Sequence, residues 1–139
     1  MPDCIFCKIV SGELPSNKVY EDDAVLAFFD IHPVNPGHTL VIPKEHAATI
    51  FDMSAHIWGS VQGAVHRVAI ALEKGAEADG VNLMMNNREH AGQVVHHAHV
   101  HLIPRYKGDG LQLWPHHSFD TDESSVILKK TIAALGNGQ

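Results

Sequence analysis

With 139 residues, 45% hydrophobic and 19% charged, the chain has the size and composition of one soluble globular domain. Its formal net charge of −6 argues against a broad nucleic-acid or anionic-membrane surface, while leaving room for a local anion site built from histidines or a helix N-terminus. No apolar run reaches the roughly 18 residues of a membrane helix. Met1-Pro2-Asp3-Cys4 carries neither a basic nor an apolar leader segment. The expectation is cytoplasmic residence, where a structural disulfide is disfavoured.

Cys4-Ile5-Phe6-Cys7 opens the readable part of the chain. A CxxC alone is compatible with a redox pair, half of a metal site, or two unrelated thiols. No βαβ pattern follows it, which weakens the redox reading, and spare histidines favour zinc. Ser11 to Pro15 reads as a turn. Lys18–Glu21 and Ala24–Phe29 read as strands of a hairpin joined at Asp22-Asp23. Asp30 ends the second strand, Pro33, Asn35, Pro36 and Gly37 form a rigid loop, and His38–Ile42 is a third strand stopped by Pro43.

Ile57, Val61, Ala64, Val65, Val68, Ala71 and Leu72 recur at helical steps, with Ser54 placed to cap. His56 and His66 lie beside this pattern and read as solvated. Val81–Asn86 is a fourth strand, and Asn87–Gln93 is a loop. His97-Ala98-His99-Val100-His101-Leu102-Ile103-Pro104-Arg105 alternates with the period of a fifth strand. Asp122–Leu135 has helical character, and 136–139 reads as a frayed tail. These elements make an α+β domain: a five-stranded antiparallel sheet with one long helix and a C-terminal helix.

On such a strand His97, His99 and His101 project from one face at intervals of about 6.6–6.8 Å, while Ala98, Val100 and Leu102 face the core. A row of imidazoles can ligate a metal or serve as a nucleophile with helpers; with 12 histidines in the chain, an exposed polar strand is the plain alternative. A nucleophilic histidine needs one unprotonated ring nitrogen, so a neighbour must hold the other N–H. His99, central in the row, is the best placed. The loop Ala91-Gly92-Gln93-Val94-Val95 suits phosphate, because glycine admits close backbone approach. Asp30 can accept from a ribose diol, and Phe6, Leu14, Phe29 and Ile31 can sandwich a base.

Together these segments resemble a known family. His97 to Ile103 is similar to the motif His-φ-His-φ-His-φ-φ of the nucleotide-binding histidine-triad (HIT) superfamily. Cys4–Ile9, Gly37–Pro43 and Ala91–Gln93 match its other landmarks in order, so the resemblance covers residues 4 to about 106, with 107–139 an extension of the same single domain. The branch it most resembles is the bacterial, Hint-like purine nucleoside phosphoramidase.

The resemblance implies a homodimer whose sheets join into one, and hydrolysis or transfer at the α-phosphate of a purine nucleotide such as AMP or an AMP conjugate. It implies that His99 is the nucleophile forming a nucleotidyl-histidine, that His38 buttresses it, that His101 contacts phosphate and leaving group, and that His97 completes the relay. Asp30 matches the ribose-binding acid. Asn86, Gly92 and Gln93 match the phosphate side, with Val95 in the same nucleotide-binding set as His99 and His101. Phe6, Ile9, Leu14, Phe29 and Ile31 match the base pocket.

It further implies a closed, structural zinc site at Cys4, Cys7, His46 and His97. The sequence departs from the branch at Val94, where a Ser or Thr is common, and at His96, which alternation turns away from the site. A dinucleoside polyphosphate hydrolase and a non-catalytic nucleotide-binding regulator are the rival readings.

Overall fold

The computed structural model describes residues 3–138 and forms two compact units, Met1–Asp109 and Gly110–Gln139. In the first, strands β1 (Lys18–Glu21), β2 (Val25–Phe29), β3 (Thr39–Pro43), β4 (Gly80–Met85) and β5 (Val100–Arg105) build one antiparallel sheet in the order β1-β2-β3-β5-β4. Helices α1 (Ile5–Val10) and α2 (Ala55–Gly75) belong to this unit.

The period-2 pattern sorts the strand residues between two cores. Val25, Ala27, Val41, Val100 and Leu102 pack with Val61, Ala64, Val68 and Leu72 of α2. Leu26, Phe28, Leu40 and Ile42 pack with Phe6 and Ile9 of α1 on the other face. Ser54 caps α2 as expected, its hydroxyl accepting the Ile57 N–H at 3.1 Å. In the β1–β2 turn, Asp22 Oδ1 accepts the amides of Ala24 and Val25, each at 2.8 Å.

The sequence reading did not include α1. Six residues are too few for a periodic signal, and the cap is a thiol: Cys4 Sγ accepts the Cys7 N–H at 3.3 Å. Gly37, at φ +91°, turns the chain into β3, and a Cβ there would stand 3.3 Å from Pro104 Cγ.

In the second unit, helix α3 spans Thr121–Gly138. It therefore continues through 136–138, where a frayed tail was expected; Gln139 and the first two residues of the leader reading lie outside the described residues. Among the described residues no helix is long and apolar enough to cross a membrane.

Candidate functional site

The five-strand expectation places the histidine row on β5, but β5 starts only at Val100, so His97 and His99 precede it. The register explains this. Thr39 faces Leu102 and Val41 faces Val100, which sets Ala98 opposite Pro43. Proline has no N–H to continue the ladder, and the Ala98 amide donates instead to Ala47 O at 2.7 Å. The sidedness survives: Phe6 stands edge-on to both His97 and His99, with centroids 5.9 and 5.2 Å away. The rings of His99 and His101 lean together to 4.9 Å, well inside the strand repeat.

Backbone partners fix the tautomers, because a carbonyl can only accept and an amide can only donate. His99 Nδ1 lies 2.7 Å from His97 O, so Nδ1 carries the proton and Nε2 keeps a free lone pair. The Val34 N–H donates to His38 Nδ1 at 3.0 Å, leaving the proton on His38 Nε2. That N–H donates in turn to His101 Nδ1 at 2.9 Å, which leaves the His101 Nε2–H for a ligand. Asp30 Oδ2 stands 3.7 Å from His38 Nε2.

Burial holds all four imidazoles below the usual histidine pKa. His97 and His101 are pushed down to about 4, His101 further by its neighbours His99 and His38. For His38, Asp30 opposes the loss of solvent without reversing it. The site therefore presents one nucleophilic nitrogen and one N–H donor, both neutral at pH 7.

A cavity of about 430 Å³ opens on these groups. Phe6, Phe29, Asp30, Ile31, Asn86, Gly92, Val95, His99 and His101 of the expected set line it. Ile9 is packed in the core with Phe6, Leu14 is partly exposed, and neither is among the lining residues. Gln93 is buried behind the loop. Its Nε2 donates to Ala48 O and Val95 O at 2.6 and 3.0 Å, and its Oε1 accepts the Arg88 N–H at 2.7 Å. It braces the loop around Gly92 from behind.

Gly92, at φ +94°, supplies the turn in that loop, and a Cβ there would stand 3.4 Å from Asn86 Nδ2. Ile5, Ser16 and His32 also line the cavity, although sequence reasoning did not name them. For His32 the signal was its place two residues after Asp30, whose Oδ1 accepts the His32 N–H at 2.9 Å. Ile5 lies on α1, which left no such signal, and nothing in the residue order marked Ser16.

Cys4, Cys7, His46 and His97 converge so that their four donor atoms lie within 4.8 Å of one another. Cys4 Sγ and Cys7 Sγ stand 3.3 and 3.6 Å from His97 Nδ1, and Cys7 Sγ stands 3.3 Å from His46 Nδ1. Zn–S and Zn–N bonds in a tetrahedron require edges of about 3.4–3.8 Å. His97 Nε2–H donates to Pro43 O at 2.8 Å, which frees Nδ1 as a ligand. Burial and the adjacent Cys4 sulfur raise the Cys7 thiol, a penalty that a cation would relieve.

The donor set fits a structural zinc. Both His97 nitrogens are then engaged away from the cavity, so His97 acts on the site through its carbonyl. Asp30, His38 and His101 are close enough to form a second group. There the Val34 amide holds the proton on His38 Nε2, and a metal would have to displace it.

The profile of the HIT domain matches residues 11–108, and the chain belongs to that family. It is 48% identical over 120 residues to Protein hit of Bacillus subtilis, covering 85% of this chain and 83% of that one. It is 41% identical over 133 residues to an adenylylsulfatase of Arabidopsis thaliana (94% of this chain, 68% of that one). To an adenosine 5′-monophosphoramidase of Candida albicans it is 35% identical over 143 residues, covering 96% and 94%.

Among solved structures, a Streptococcus mutans protein superposes with a TM-score of 0.89 at 44% identity, covering 96% of this chain and 85% of that one. A zinc-bound histidine triad protein of Mycobacterium smegmatis superposes at 0.76 and 37% identity, covering 99% of each. Two named relatives thus act on adenylyl or AMP conjugates, which supports nucleotide hydrolase activity for the family at large.

Proposed function

We propose that the protein hydrolyses or transfers the nucleotidyl group of purine nucleoside phosphoramidates or related AMP conjugates. The observation that carries this reading is the pair of fixed tautomers: a bare His99 Nε2 and a protonated His101 Nε2 in one cavity with Asp30. The base would lie between Phe6, Phe29 and Ile31, with the ribose hydroxyls on Asp30. His99 Nε2 attacks the α-phosphorus and the P–N bond breaks, while His101 Nε2–H hydrogen-bonds the departing nitrogen, which takes its proton from solvent water. Water then attacks phosphorus, the P–Nε2 bond breaks, AMP leaves, and the proton lost by the attacking water passes to solvent. Backbone amides near Gly92 support the oxygens that gain charge.

Zinc, when bound by Cys4, Cys7, His46 and His97, supplies a structural cross-link. Support for a homodimer comes from β4, which pairs on one side only, and from the apolar strip beside it, where Leu83 is exposed and Trp58 and Val65 are half-buried. Light scattering at a dimer mass would agree with that assembly.

Mass spectrometry after mixing with adenosine 5′-phosphoramidate and quenching in mild base tests the chemistry. An AMP adduct on His99 with steady ammonia release is expected, and His99→Ala should bind AMP without turning over. Tight AMP binding with neither adduct nor release would move the protein to the regulator class.

A further inference from the structure

A second cavity, of about 420 Å³, is not used by the proposed reaction. Its walls include Cys4, Ile5, His46, Val94 and His96. Cys4 and His46, two members of the ligand cluster, therefore border this groove, while Cys7 is not among its lining residues. The two sulfurs lie within 4.8 Å of each other, on the cap and the third residue of α1. α1 also carries Phe6, which is 6% exposed and forms a wall of the nucleotide cavity while packing on His97 and His99. The metal cluster is thus a polar anchor tying α1 to His46 and His97, beside the apolar anchors Phe6 and Ile9.

We infer that Cys4 and Cys7 are an oxidative modification site: hydrogen peroxide entering this groove converts the pair to a disulfide, expels the metal and loosens α1. The Cys4 thiolate attacks a peroxide oxygen, the O–O bond breaks, and hydroxide leaves, giving a sulfenic acid. The Cys7 thiolate then attacks the Cys4 sulfur, forming the S–S bond and releasing a second hydroxide. The two sulfurs lose two electrons, the peroxide gains them, and a disulfide retains no thiolate for the ion. His46 and His97 alone do not close the site. The His97 ring then keeps its hydrogen bond to Pro43 O and its ring contacts but loses its link to the sulfurs, and the His97 carbonyl is the group that sets the His99 tautomer. The consequence for nucleotide affinity rests on the function proposed above.

The test uses the full chain, reduced and loaded with zinc, then titrated with hydrogen peroxide. Zinc release is read with a chromogenic chelator, the covalent state by intact mass, and α1 by amide hydrogen exchange. One zinc should leave per disulfide, with a mass about 2 Da below that of the reduced metal-free chain. Exchange over residues 5–10 should rise roughly a hundredfold, the factor expected on losing a ligand held at about 100 times its Kd, and dithiothreitol with zinc should reverse it.

Zinc retained through excess peroxide, oxygen adducts in place of the disulfide, or a disulfide with α1 still protected would each overturn the inference. AMP affinity is measured in the same series and should weaken on oxidation. A reduced, zinc-loaded protein that binds no AMP would instead refute the proposed function, and the zinc, mass and exchange readings would stand on their own.

Discussion

Phe6→Ala tests whether one side chain serves both the core and the site. Phe6 is 6% exposed and meets Phe28, His97 and His99 edge-on at centroid distances of 5.5, 5.9 and 5.2 Å. Buried Phe→Ala changes cost about 3–5 kcal/mol, of which edge-on aromatic pairs account for roughly 0.5–1.5 kcal/mol each. α1 has six residues and can settle inward, so the low end applies, about 3 kcal/mol. For a chain of this size that is a fall in Tm of roughly 10 °C.

The same truncation removes a wall of the nucleotide cavity and the ring that positions His99. A further loss of about ten- to a hundredfold in kcat/KM is therefore expected at temperatures where the variant stays folded. Circular-dichroism melts and amine-release kinetics read the two effects separately. Phe6→Leu, which keeps most of the volume, should recover stability to within about 1.5 kcal/mol but restore activity only in part. A Phe6→Ala melt within about 2 °C of the parent, or a Leu variant as inactive as the Ala variant, would refute the shared role.

Four other outcomes are expected. Because burial holds His101 at about 4, that ring stays neutral through pH 5, and with His38 also held below its usual value the acid limb of kcat/KM should lie under the ordinary histidine value of about 6.5. The same shifts set the stability. Unfolded histidines take up protons below about pH 6.5 while folded His101 does not, so stability falls from there down to about pH 4 and then levels off. After discounting for partial exposure, His101 contributes on the order of 2 kcal/mol to that fall, and urea melts across the range measure it. Gly92→Ala forces a side chain onto φ +94° with its Cβ 3.4 Å from Asn86 Nδ2, and should cost about 1 kcal/mol or more while raising KM for the AMP conjugate. Val94 is 85% exposed at the cavity rim; Val94→Ser should speed release of a small amine by up to about tenfold, the worth of one hydrogen bond, with no change in the melt.

Local pattern in the sequence was enough for the strands, the long helix and the core beneath that helix, because periods of 2 and 3.6 are printed directly in residue order. Lys18–Glu21, the Ser54 cap and the run from Val61 to Leu72 all stand where the pattern puts them. The histidine motif likewise pointed to His99 and His101, which line the cavity. Its chemistry did not follow from spacing. A proline on the neighbouring strand, not the alternation of the row itself, ended the ladder before His99 and turned the His97 carbonyl onto its ring.

Which nitrogen of each histidine carries a proton depended on Val34, Pro43 and His97 backbone groups that pack against the rings. The joining of Cys4 and Cys7 to His46 and His97 needed a short helix whose six residues are too few to leave a periodic trace. Residue order carries periodicity because each repeat is local. Tautomer, burial and ligand convergence arise only when segments as far apart as residues 4 and 97 meet, and the folded chain alone decides them.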